Sequence, residues 1–248
     1  MTRGASTCRV LGIDCFAGDL REATALLVDH ARSGEGGFVS LMNVHVAITA
    51  QRDDGVRSAL GDAWKVFPDG APISWLERRR GAQRAERVAG PDLMLAVLRE
   101  SLDLRHFLFG STPEVLARLE RRLPEAVPGL RLAGSLGPAR GQESDASTIE
   151  QVRAAKPHVV WVALGAPKQE LWARRHAAAL APALLVGVGA AFDFHAGSKP
   201  RAPRWMQRAG LEWLHRLASE PRRLAWRYAS TNTRFVYLAA RELVRDAS

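Results

Sequence analysis

Four polar residues of this chain follow apolar segments that the sequence predicts to be β-strands, and their side chains could bind or activate a ligand. These residues are Asn43, Asp69, Gln169 and Asp193. In an open α/β sheet, the ligand lies just beyond the carboxyl ends of the strands. A carboxylate at such a position can take a proton from a substrate hydroxyl. The spacing therefore indicates one ligand site assembled from several strand ends.

Each of these positions also has a structural explanation. Asn43 lies at a strand-to-helix junction, where asparagine is an ordinary helix N-cap. Asp69 precedes a glycine, and Asp-Gly is common turn chemistry. Asp193 can be a structural acid that holds the glycine turn before it, and Lys168 and Glu170 can simply cap and solubilise the start of a helix. Taken one at a time, the residues leave these alternatives open.

Apolar segments alternate with helical patterns along the chain. Strands are predicted over residues 9–13, 38–41, 64–67, 106–109, 130–133, 159–164 and 183–188. Helices are predicted over residues 20–31, 43–51, 73–80, 92–102, 110–123 and 148–155, and another begins at residue 168. Asp19 is the predicted N-cap of the first helix. This alternation implies an α/β fold with a mostly parallel, Rossmann-like sheet and helices on both faces.

The chain is long enough for one large domain, or for one domain with an appendage, because it has 248 residues and 47% of them are hydrophobic. The formal net charge is +9, and residues 199–248 hold 11 Lys and Arg against 4 Asp and Glu. We therefore divide the chain into an α/β core over residues 1–198 and a basic, amphipathic helical appendage over residues 199–248. Such a basic segment suits phosphate, nucleic acid or anionic lipid, and a solvated basic face is the alternative.

Composition argues against several classes of protein. The two cysteines, Cys8 and Cys15, make no disulfide framework and fit a reducing compartment. No spacing of Cys and His indicates zinc, no Asp-x-Asp motif indicates a metal, and no cofactor is expected. We expect no signal peptide, and no apolar run reaches the roughly 18 residues of a membrane-spanning helix. These features predict a cytoplasmic protein.

Common nucleotide-binding and hydrolase motifs fit the sequence poorly. Residues 110–113, Gly-Ser-Thr-Pro, lack the Gly-Lys-Ser/Thr ending of a P-loop. Residues 187–192, Gly-Val-Gly-Ala-Ala-Phe, lack the third glycine of a dinucleotide-binding fingerprint, and an aromatic-acid-aromatic run follows them instead of a helix pattern. No Gly-x-Ser-x-Gly elbow occurs. A dinucleotide-binding oxidoreductase is therefore kept only as an alternative.

Four short motifs occur in order along the second half of the chain. They are Pro-Lys-Gln-Glu at 167–170, Gly-Val-Gly-Ala-Ala-Phe-Asp-Phe at 187–194, Arg-Ala-Pro at 201–203, and Gly-Leu-Glu-Trp-Leu at 210–214, which leads to Glu-Pro-Arg at 220–222. Together with Asn43, Asp69-Gly70, Arg87 and Gly110, they resemble the WecG/TagA/CpsF family of glycosyltransferases (glycosyltransferase family 26). The resemblance covers residues 10–228.

The resemblance implies an inverting glycosyltransferase. It would move a sugar from a nucleotide sugar, with UDP as the expected nucleotide, to a hydroxyl of a polyprenyl-diphosphate-linked saccharide in bacterial surface-polysaccharide or teichoic-acid assembly. A single displacement needs one carboxylate to take the acceptor proton, and the family's Asp-Gly position gives that role to Asp69. The family pattern places Asn43, Arg87 and Gln169 around the donor, and Asp193 against the nucleotide base.

One position departs from the family pattern. Two residues before Asn43, where members often carry threonine, this chain has Leu41. The hydroxyl contact expected there is lost unless Ser40 supplies it.

The basic C-terminal segment is predicted to complete the site. Its apolar residues Leu211, Trp213, Leu214 and Leu217 recur at helical spacing among arginines, which suits a helix lying in an anionic membrane surface. In the family, this segment meets the acceptor diphosphate at the membrane. The arginines assigned to that diphosphate are Arg216, Arg222, Arg223 and Arg227. The alternative is a C-terminal helix that packs on the core.

The predicted partners are a nucleotide-sugar donor, a polyprenyl-diphosphate-linked acceptor and the anionic inner face of the cell membrane. Nucleic acid is not an expected partner, because the arginines are interrupted by Pro, Leu and Trp and no recognition module accompanies them. A basic nucleic-acid-binding protein is nevertheless kept as a second alternative. The sequence names neither the sugar nor the acceptor glycan, and it leaves a homo-oligomer open.

Overall fold

The computed structural model of the chain has one six-stranded parallel sheet at its centre. It describes the backbone of residues 6–246, and the side chains of these residues apart from 208, 216 and 223–227. A two-stranded hairpin, β1 (Thr7–Val10) and β2 (Ile13–Phe16), precedes the sheet. In chain order, the sheet strands are β3 (Phe38–Met42), β4 (Lys65–Pro68), β5 (Arg105–Gly110), β6 (Arg131–Leu136), β7 (Val159–Ala163) and β8 (Leu184–Gly187).

The spatial order of the sheet is β4-β3-β8-β7-β5-β6, and every neighbouring pair is parallel. The predicted parallel α/β sheet is thus confirmed. The order differs from the classic dinucleotide-binding sheet, in which the first three strands lie together in reverse order. The chain leaves β5 toward β6 and leaves β7 in the opposite direction toward β8, so a crevice is expected where β5 and β7 lie side by side.

Helices occupy most of the connections between the strands and all of the regular structure after β8. They are α1 (Leu20–Ser33), α2 (Val44–Ala50), α3 (Asp54–Asp62), α4 (Ala71–Arg79), α5 (Gly90–Glu100), α6 (Pro113–Ala126), α7 (Ala146–Ala154), α8 (Lys168–Leu180), α9 (Ala191–His195), α10 (Arg204–Arg208), α11 (Glu212–Ser219) and α12 (Pro221–Asp246).

Successive side chains of each strand point to opposite faces of the sheet, and helices cover both faces. On one face, Leu108 and Trp161 pack with α1, α5, α6 and α9 in the largest apolar cluster. On the other face, Phe109 and Val162 pack with α7 and α8. Val66, at the β4 end of that face, packs with α2, α3, α4 and α12. This arrangement agrees with the predicted layers.

Local capping explains where several helices begin. Asp19 accepts a hydrogen bond from the backbone N–H of Glu22, and the Glu22 carboxylate accepts one from the N–H of Asp19. This capping box confirms the predicted start of α1. Asn43 caps α2 by accepting from Val46 N at 3.1 Å. Helix α3 is not predicted by the sequence analysis, although Asp53 caps it in the same way.

The strand predicted over residues 9–13 is wrong, because this segment contains the turn of the hairpin. Leu11 and Gly12 both have positive φ, at 49° and 82°, as in the type I′ turns that join short hairpins. Glycine adopts such angles readily, but leucine rarely does. Leu11 is buried in the apolar cluster with α2 and α12, and its N–H donates to the Glu242 carboxylate at 3.1 Å. Tertiary contacts therefore hold a turn that the local sequence does not favour.

The absence of a helix after β8 is also a wrong prediction, because residues 191–195 form α9. Ala191 and Phe192 are buried against the largest apolar cluster, while the following residues are more exposed. A helix of five residues buries too few side chains to show a helical period in the sequence.

The second half of α12 packs on the core. Phe235 and Ala239 are buried in the apolar cluster that includes α2. Arg80, which follows α4, lies 3.3 Å from Glu242 and 2.6 Å from Asp246. For these residues, the structure has the packed arrangement that the sequence analysis gives as the alternative to a membrane-lying helix. Within the described chain, no helix is both long enough and apolar enough to cross a bilayer.

One carboxyl group is buried on the face of α4 that packs against the hairpin. Glu77 has no exposed surface, and neither of its carboxylate oxygens has a hydrogen-bond partner among the described residues. Burial raises the pKa of Glu77 to about 8, and the charge of Arg78 offsets only part of this effect. In the unfolded chain a glutamate titrates near its ordinary pKa of about 4.3. The folded protein therefore holds a proton that the unfolded chain has lost at neutral pH.

This difference predicts that stability falls as the pH rises. A folded-state pKa above the unfolded value means that the native state binds the extra proton, so stability is lost between the two pKa values. Each pH unit in that window costs up to about 1.4 kcal/mol. We expect Glu77→Gln to be more stable than the wild type at a pH of about 8 and equally stable at a pH of about 4. Urea unfolding measures the difference.

The control is Glu86→Gln, which removes an exposed carboxylate from the loop after α4. This variant should follow the wild-type pH profile. Parallel profiles for the wild type and Glu77→Gln would show that Glu77 is not the group responsible.

Candidate active site

A pocket of about 440 Å³ opens at the carboxyl edge of the sheet. The segments that follow β3, β4, β5, β7 and β8 line it, and α11 and α12 contribute the remaining wall. The crevice expected between β5 and β7 is therefore one part of a larger cavity.

All five residues predicted to act on the donor or the acceptor hydroxyl line this pocket. They are Asn43, Asp69, Arg87, Gln169 and Asp193. The fold thus brings together side chains that lie up to 150 positions apart in the sequence. Their chemical roles stay predictions. In the described part of the chain, no group of three or more His, Cys, Asp and Glu side chains is arranged to hold a metal ion.

Parallel pairing of β3 and β4 places Asp69 beside Asn43. The N–H of Asp69 donates to the carbonyl of Met42 at 2.9 Å, which extends the ladder by one residue beyond the strand. Gly70 then lies against Asn43 and begins α4. Asn43 is both an N-cap and a pocket residue: its Oδ1 accepts from Val46, so its NH₂ group is the part that can donate to a ligand.

Gln169 is the most buried of the five residues, with 4% of its surface exposed. It lies in the first turn of α8, and its side chain packs on Gly187 and Gly189 at the end of β8. Its Nε2 donates to Glu170 Oε1 at 3.1 Å. Burial raises the pKa of Glu170 to about 7. Glu170 is thus buried beside the pocket and does not serve to solubilise the helix start.

Asp193 is tied to the loop that follows α9. Its carboxylate accepts from Ser198 Oγ at 3.2 Å and pairs with Lys199 Nζ at 3.2 Å. Its backbone oxygen accepts from the N–H of Ser198 at 3.0 Å. Lys199 also lies 3.1 Å from Glu220. These contacts tie Asp193 to the loop after it, whereas the sequence analysis considers a structural role at the glycine turn before it. They also bring to the pocket a lysine that the sequence analysis does not single out.

Four charged side chains of alternating sign connect the core to α11. Both terminal nitrogens of Arg201 donate to the Asp92 carboxylate at 2.6 Å, and Arg201 Nε lies 3.6 Å from Glu212 Oε1. Glu212 Oε2 in turn accepts from Arg87 Nη2. Burial tends to raise the pKa of Asp92, but the Arg201 hydrogen bonds outweigh it and hold that pKa below its usual value. The row joins Arg87 at the pocket to α5 through two residues of the C-terminal segment.

Comparison with known proteins identifies the family of this chain. The family model described as "Glycosyl transferase WecG/TagA/CpsF family" matches residues 8–248. The chain belongs to the WecG/TagA/CpsF family of glycosyltransferases. It is 31% identical over 196 residues to the N-acetylglucosaminyldiphosphoundecaprenol N-acetyl-beta-D-mannosaminyltransferase of Bacillus spizizenii strain W23, with 78% of this chain and 74% of that protein covered. A protein of the same name from Bacillus subtilis strain 168 is 29% identical, with the same coverage.

Membership confirms the resemblance stated from the motifs, and it makes the protein a glycosyltransferase. The alternatives of a dinucleotide-binding oxidoreductase and a nucleic-acid-binding protein are therefore set aside. The strand order agrees with this outcome, because it is not the order of the classic dinucleotide-binding sheet.

Several residues of the glycosyltransferase line the pocket without being predicted from the sequence. They are Ser111, Lys199, Glu212, Trp213, Tyr228, Thr231 and Asn232. Glu212 and Trp213 belong to the motif at 210–214, which is the signal that could have indicated them. Ser111 has a φ of 67°, unusual for serine, at the turn after β5. Thr231 and Asn232 have no sequence signal, because their position depends on how α12 folds back onto the sheet edge.

The four arginines assigned to the acceptor diphosphate belong to α11 and α12. Arg222 is exposed in the first turn of α12. The side chains of Arg216, Arg223 and Arg227 lie outside the described residues, so only their helix positions are known. Arg216 is one turn beyond Glu212, and Arg227 directly precedes Tyr228, a pocket residue. The arginines therefore flank pocket residues along the chain, and their role stays a prediction.

Ser40 does not replace the hydroxyl that Leu41 lacks. Leu41 is buried and lines the pocket. Ser40 is its neighbour in β3 and therefore points to the opposite face of the sheet. It is 1% exposed, and among the described residues its hydroxyl has no hydrogen-bond partner. The pocket wall at this position is apolar.

The contact between Arg87 and Glu212 predicts a coupled loss of stability. Glu212→Gln removes a charge-assisted hydrogen bond in a partly buried site, which should lower the free energy of unfolding by about 2 kcal/mol. In a protein that already carries Arg87→Gln, the same change should cost less by at least about 1 kcal/mol, because one of the two arginine partners of Glu212 is gone. Urea unfolding of the four proteins in this cycle measures the difference.

Glu125→Gln, which removes an exposed carboxylate from α6, is the control and should change stability little in either background. If the costs of Glu212→Gln and Arg87→Gln simply add, the two side chains do not interact in solution.

Proposed function

We propose that this glycosyltransferase moves a sugar from a UDP-sugar, with inversion at the anomeric carbon, to a hydroxyl of a saccharide linked through diphosphate to a polyprenol. Such a reaction belongs to the assembly of bacterial surface polysaccharides or teichoic-acid-type polymers. The observation that carries the proposal is the pocket at the sheet edge, where Asp69 lies with cations and hydrogen-bond donors, in a chain that the family matches over residues 8–248.

The names of the relatives supply the substrate class. They specify an N-acetylglucosaminyldiphosphoundecaprenol acceptor and a transferred N-acetyl-β-D-mannosaminyl group. A β linkage is the product expected when an α-linked UDP-sugar reacts with inversion in a single displacement. We extend this acceptor class to the present chain, and UDP-N-acetylmannosamine is the first donor to test.

In the proposed reaction, the Asp69 carboxylate takes the proton of the acceptor hydroxyl. The acceptor oxygen attacks the anomeric carbon from the face opposite to the nucleotide. The bond between that carbon and the diphosphate oxygen breaks, and UDP leaves with the electron pair. A carboxylate at a strand end suits this role, because the parallel pairing with β3 fixes the backbone of Asp69 at the pocket wall.

The negative charge that develops on UDP needs cations and N–H donors. The Asn43 NH₂ group, Arg87 and Lys199 are among the described groups of the pocket that can donate to phosphate oxygens. Arg87 and Lys199 also contact Glu212 and Asp193, so a bound diphosphate would share these cations with the carboxylates. The base contact assigned to Asp193 rests on the family pattern alone.

The acceptor side of the pocket is assigned to α11 and α12, with Arg216, Arg222, Arg223 and Arg227 at the acceptor diphosphate. We further assign this wall to the inner face of the cell membrane. Trp205 in α10 is 65% exposed, and Leu214, which follows the pocket residue Trp213 in α11, is 43% exposed. Residues 199–248 carry most of the net positive charge. Exposed apolar side chains among basic residues are typical of segments that bind anionic lipid.

A donor screen tests the proposed reaction. The full chain is incubated with N-acetylglucosaminyl-diphospho-undecaprenol and a panel of UDP-sugars, and released UDP is measured. We expect UDP release that depends on the acceptor, with UDP-N-acetylmannosamine the best donor, and NMR of the product should show a β linkage. If no UDP-sugar reacts, or if release is independent of the acceptor, the proposed function is wrong.

Asp69→Asn tests the base. The amide has the same shape as the carboxylate but cannot take a proton, so turnover should fall by about 100-fold or more. UDP affinity measured by calorimetry should stay close to that of the wild type. Asp54→Asn removes an exposed carboxylate from the first turn of α3 and serves as the control. Turnover near the wild-type value in Asp69→Asn would exclude Asp69 from the reaction.

Two exposed side chains test the membrane assignment. Trp205→Ser should weaken co-sedimentation with phosphatidylglycerol vesicles by about 10-fold or more, because a large apolar side chain contributes about 2 kcal/mol when buried. Arg222→Glu should weaken it by a similar factor at low salt and by less at high salt, since each charge contributes about 1 kcal/mol and is screened.

Leu102→Ser is the control, because Leu102 is exposed at the opposite, amino edge of the sheet. The double variant combines Trp205→Ser with Arg222→Glu. If it binds anionic vesicles as strongly as the wild type, this surface does not meet the membrane.

A further inference from the structure

The amide of Gln169 forms part of the pocket wall against two glycines. A Cβ atom at Gly187 would lie 3.1 Å from Gln169 Nε2, and one at Gly189 would lie 3.4 Å from Gln169 Oε1. The two glycines therefore leave the space that the amide occupies. Because the residue is 4% exposed, each polar atom of this amide needs a partner or loses hydration without compensation.

One of the two polar atoms has its partner in Glu170. Gln169 Nε2 donates to Glu170 Oε1 at 3.1 Å. A carboxylate accepts hydrogen bonds and does not donate them, so this contact assigns the NH₂ end of the amide to Glu170. The carbonyl oxygen, Oε1, is therefore the polar atom of the amide that does not contact Glu170. Among the described residues, this buried oxygen has no hydrogen-bond partner.

We propose that Glu170 fixes the amide of Gln169 so that its carbonyl oxygen accepts a hydrogen bond from a hydroxyl or N–H group of the nucleotide sugar. Gln169 then contacts the nucleoside or the sugar. It does not bind the diphosphate, because ionised diphosphate oxygens accept hydrogen bonds and cannot donate one to a carbonyl oxygen. This inference rests on the proposed function and refines it. Glu170 is a positioning residue, because it acts through Gln169.

The missing hydrogen bond to Oε1 explains why a nucleotide sugar that supplies it would bind more tightly. A buried acceptor without a partner costs about 1–3 kcal/mol, and a ligand hydroxyl or N–H that reaches it recovers that cost. A phosphate group at the same place would add repulsion between oxygens. The chemical class recognised is therefore a hydrogen-bond donor, such as a ribose hydroxyl, the uracil imide N–H or a hydroxyl of the transferred sugar.

The test measures binding of UDP and its analogues by calorimetry at a pH of about 8. The Glu170 carboxyl, whose pKa burial raises to about 7, is mostly ionised at that pH. Gln169→Met keeps the size of the side chain and removes the acceptor. It should weaken the affinity for the recognised ligand by about 10-fold, which corresponds to one hydrogen bond of about 1.4 kcal/mol.

Comparison of UDP with four related compounds identifies the ligand group. If the recognised group is the ribose 2′-hydroxyl, 2′-deoxy-UDP lacks it, and if it is the uracil N3–H, N3-methyl-UDP lacks it. The analogue without the recognised group should bind the wild type about 10-fold more weakly than UDP does. It should bind Gln169→Met no more weakly than UDP does. If the group is on the sugar, Gln169→Met should weaken binding of the UDP-sugar and leave UDP unchanged. If Gln169→Met weakens UDP but not uridine, and both analogues behave like UDP, the amide binds diphosphate and the proposal is overturned.

Glu170→Gln tests the positioning role. An amide at residue 170 can donate as well as accept, so the orientation of Gln169 is no longer unique, and affinity for the recognised ligand should fall by about 3-fold to 10-fold. Stability should not fall, because the substitution removes a buried carboxylate with one oxygen unpaired among the described residues. Lower affinity without lower stability is a combination that a merely structural role of Glu170 would not give.

Lys168→Gln is the matched control in the same helical turn. Its ammonium group contacts Glu143 outside the pocket, so UDP affinity should not change. If the wild type binds UDP and neither Gln169→Met nor Glu170→Gln alters any affinity, this inference is wrong while the proposed function stands. If the wild type binds no uridine nucleotide, the proposed function itself fails.

Discussion

Parallel strands need a crossover between each pair, and therefore all of their carboxyl ends lie along one edge of the sheet. In this glycosyltransferase, the segments after five of the six parallel strands meet there and form a single pocket. Asn43, Asp69 and Gln169 come together for this reason. The same constraint limits what each residue can do: Asn43 has its oxygen committed to a helix cap and offers N–H groups, whereas Gln169 has its NH₂ committed to Glu170 and offers an oxygen.

The strand ends supply only part of the wall, and the rest depends on charge. Two arginines and two carboxylates form an alternating row from Asp92 through Arg201 and Glu212 to Arg87. Such a row is partly desolvated, and each charge is tolerable because the next one neutralises it. It connects α11 to the residue that the family pattern assigns to the donor. The C-terminal segment is thus connected to the donor side by ionic contacts and to α2 by apolar ones.

Much of this arrangement was accessible from the sequence, because its signals are local. Apolar segments followed by Asn, Asp or a Gly turn identify strand ends, and the capping residue Asp19 identifies a helix start. The type I′ turn at Leu11 was not accessible, since only contacts with distant residues stabilise it. The same holds for Thr231 and Asn232, which look like ordinary helix residues until α12 lies against the sheet edge. For Glu170, the sequence suggested a solvated helix start, and burial gives it a different environment.

The contact between the hairpin and the last helix has a consequence for synthesis of the chain. The N–H of Leu11 and the carboxylate of Glu242 are 231 positions apart. All six strands of the sheet, by contrast, are complete by Gly187. During translation, at about 5–20 residues per second, the sheet can assemble while the hairpin turn still lacks its carboxylate. The hairpin therefore leaves the ribosome before the helix that completes its contacts, and its turn reaches its final state only after α12 has been made.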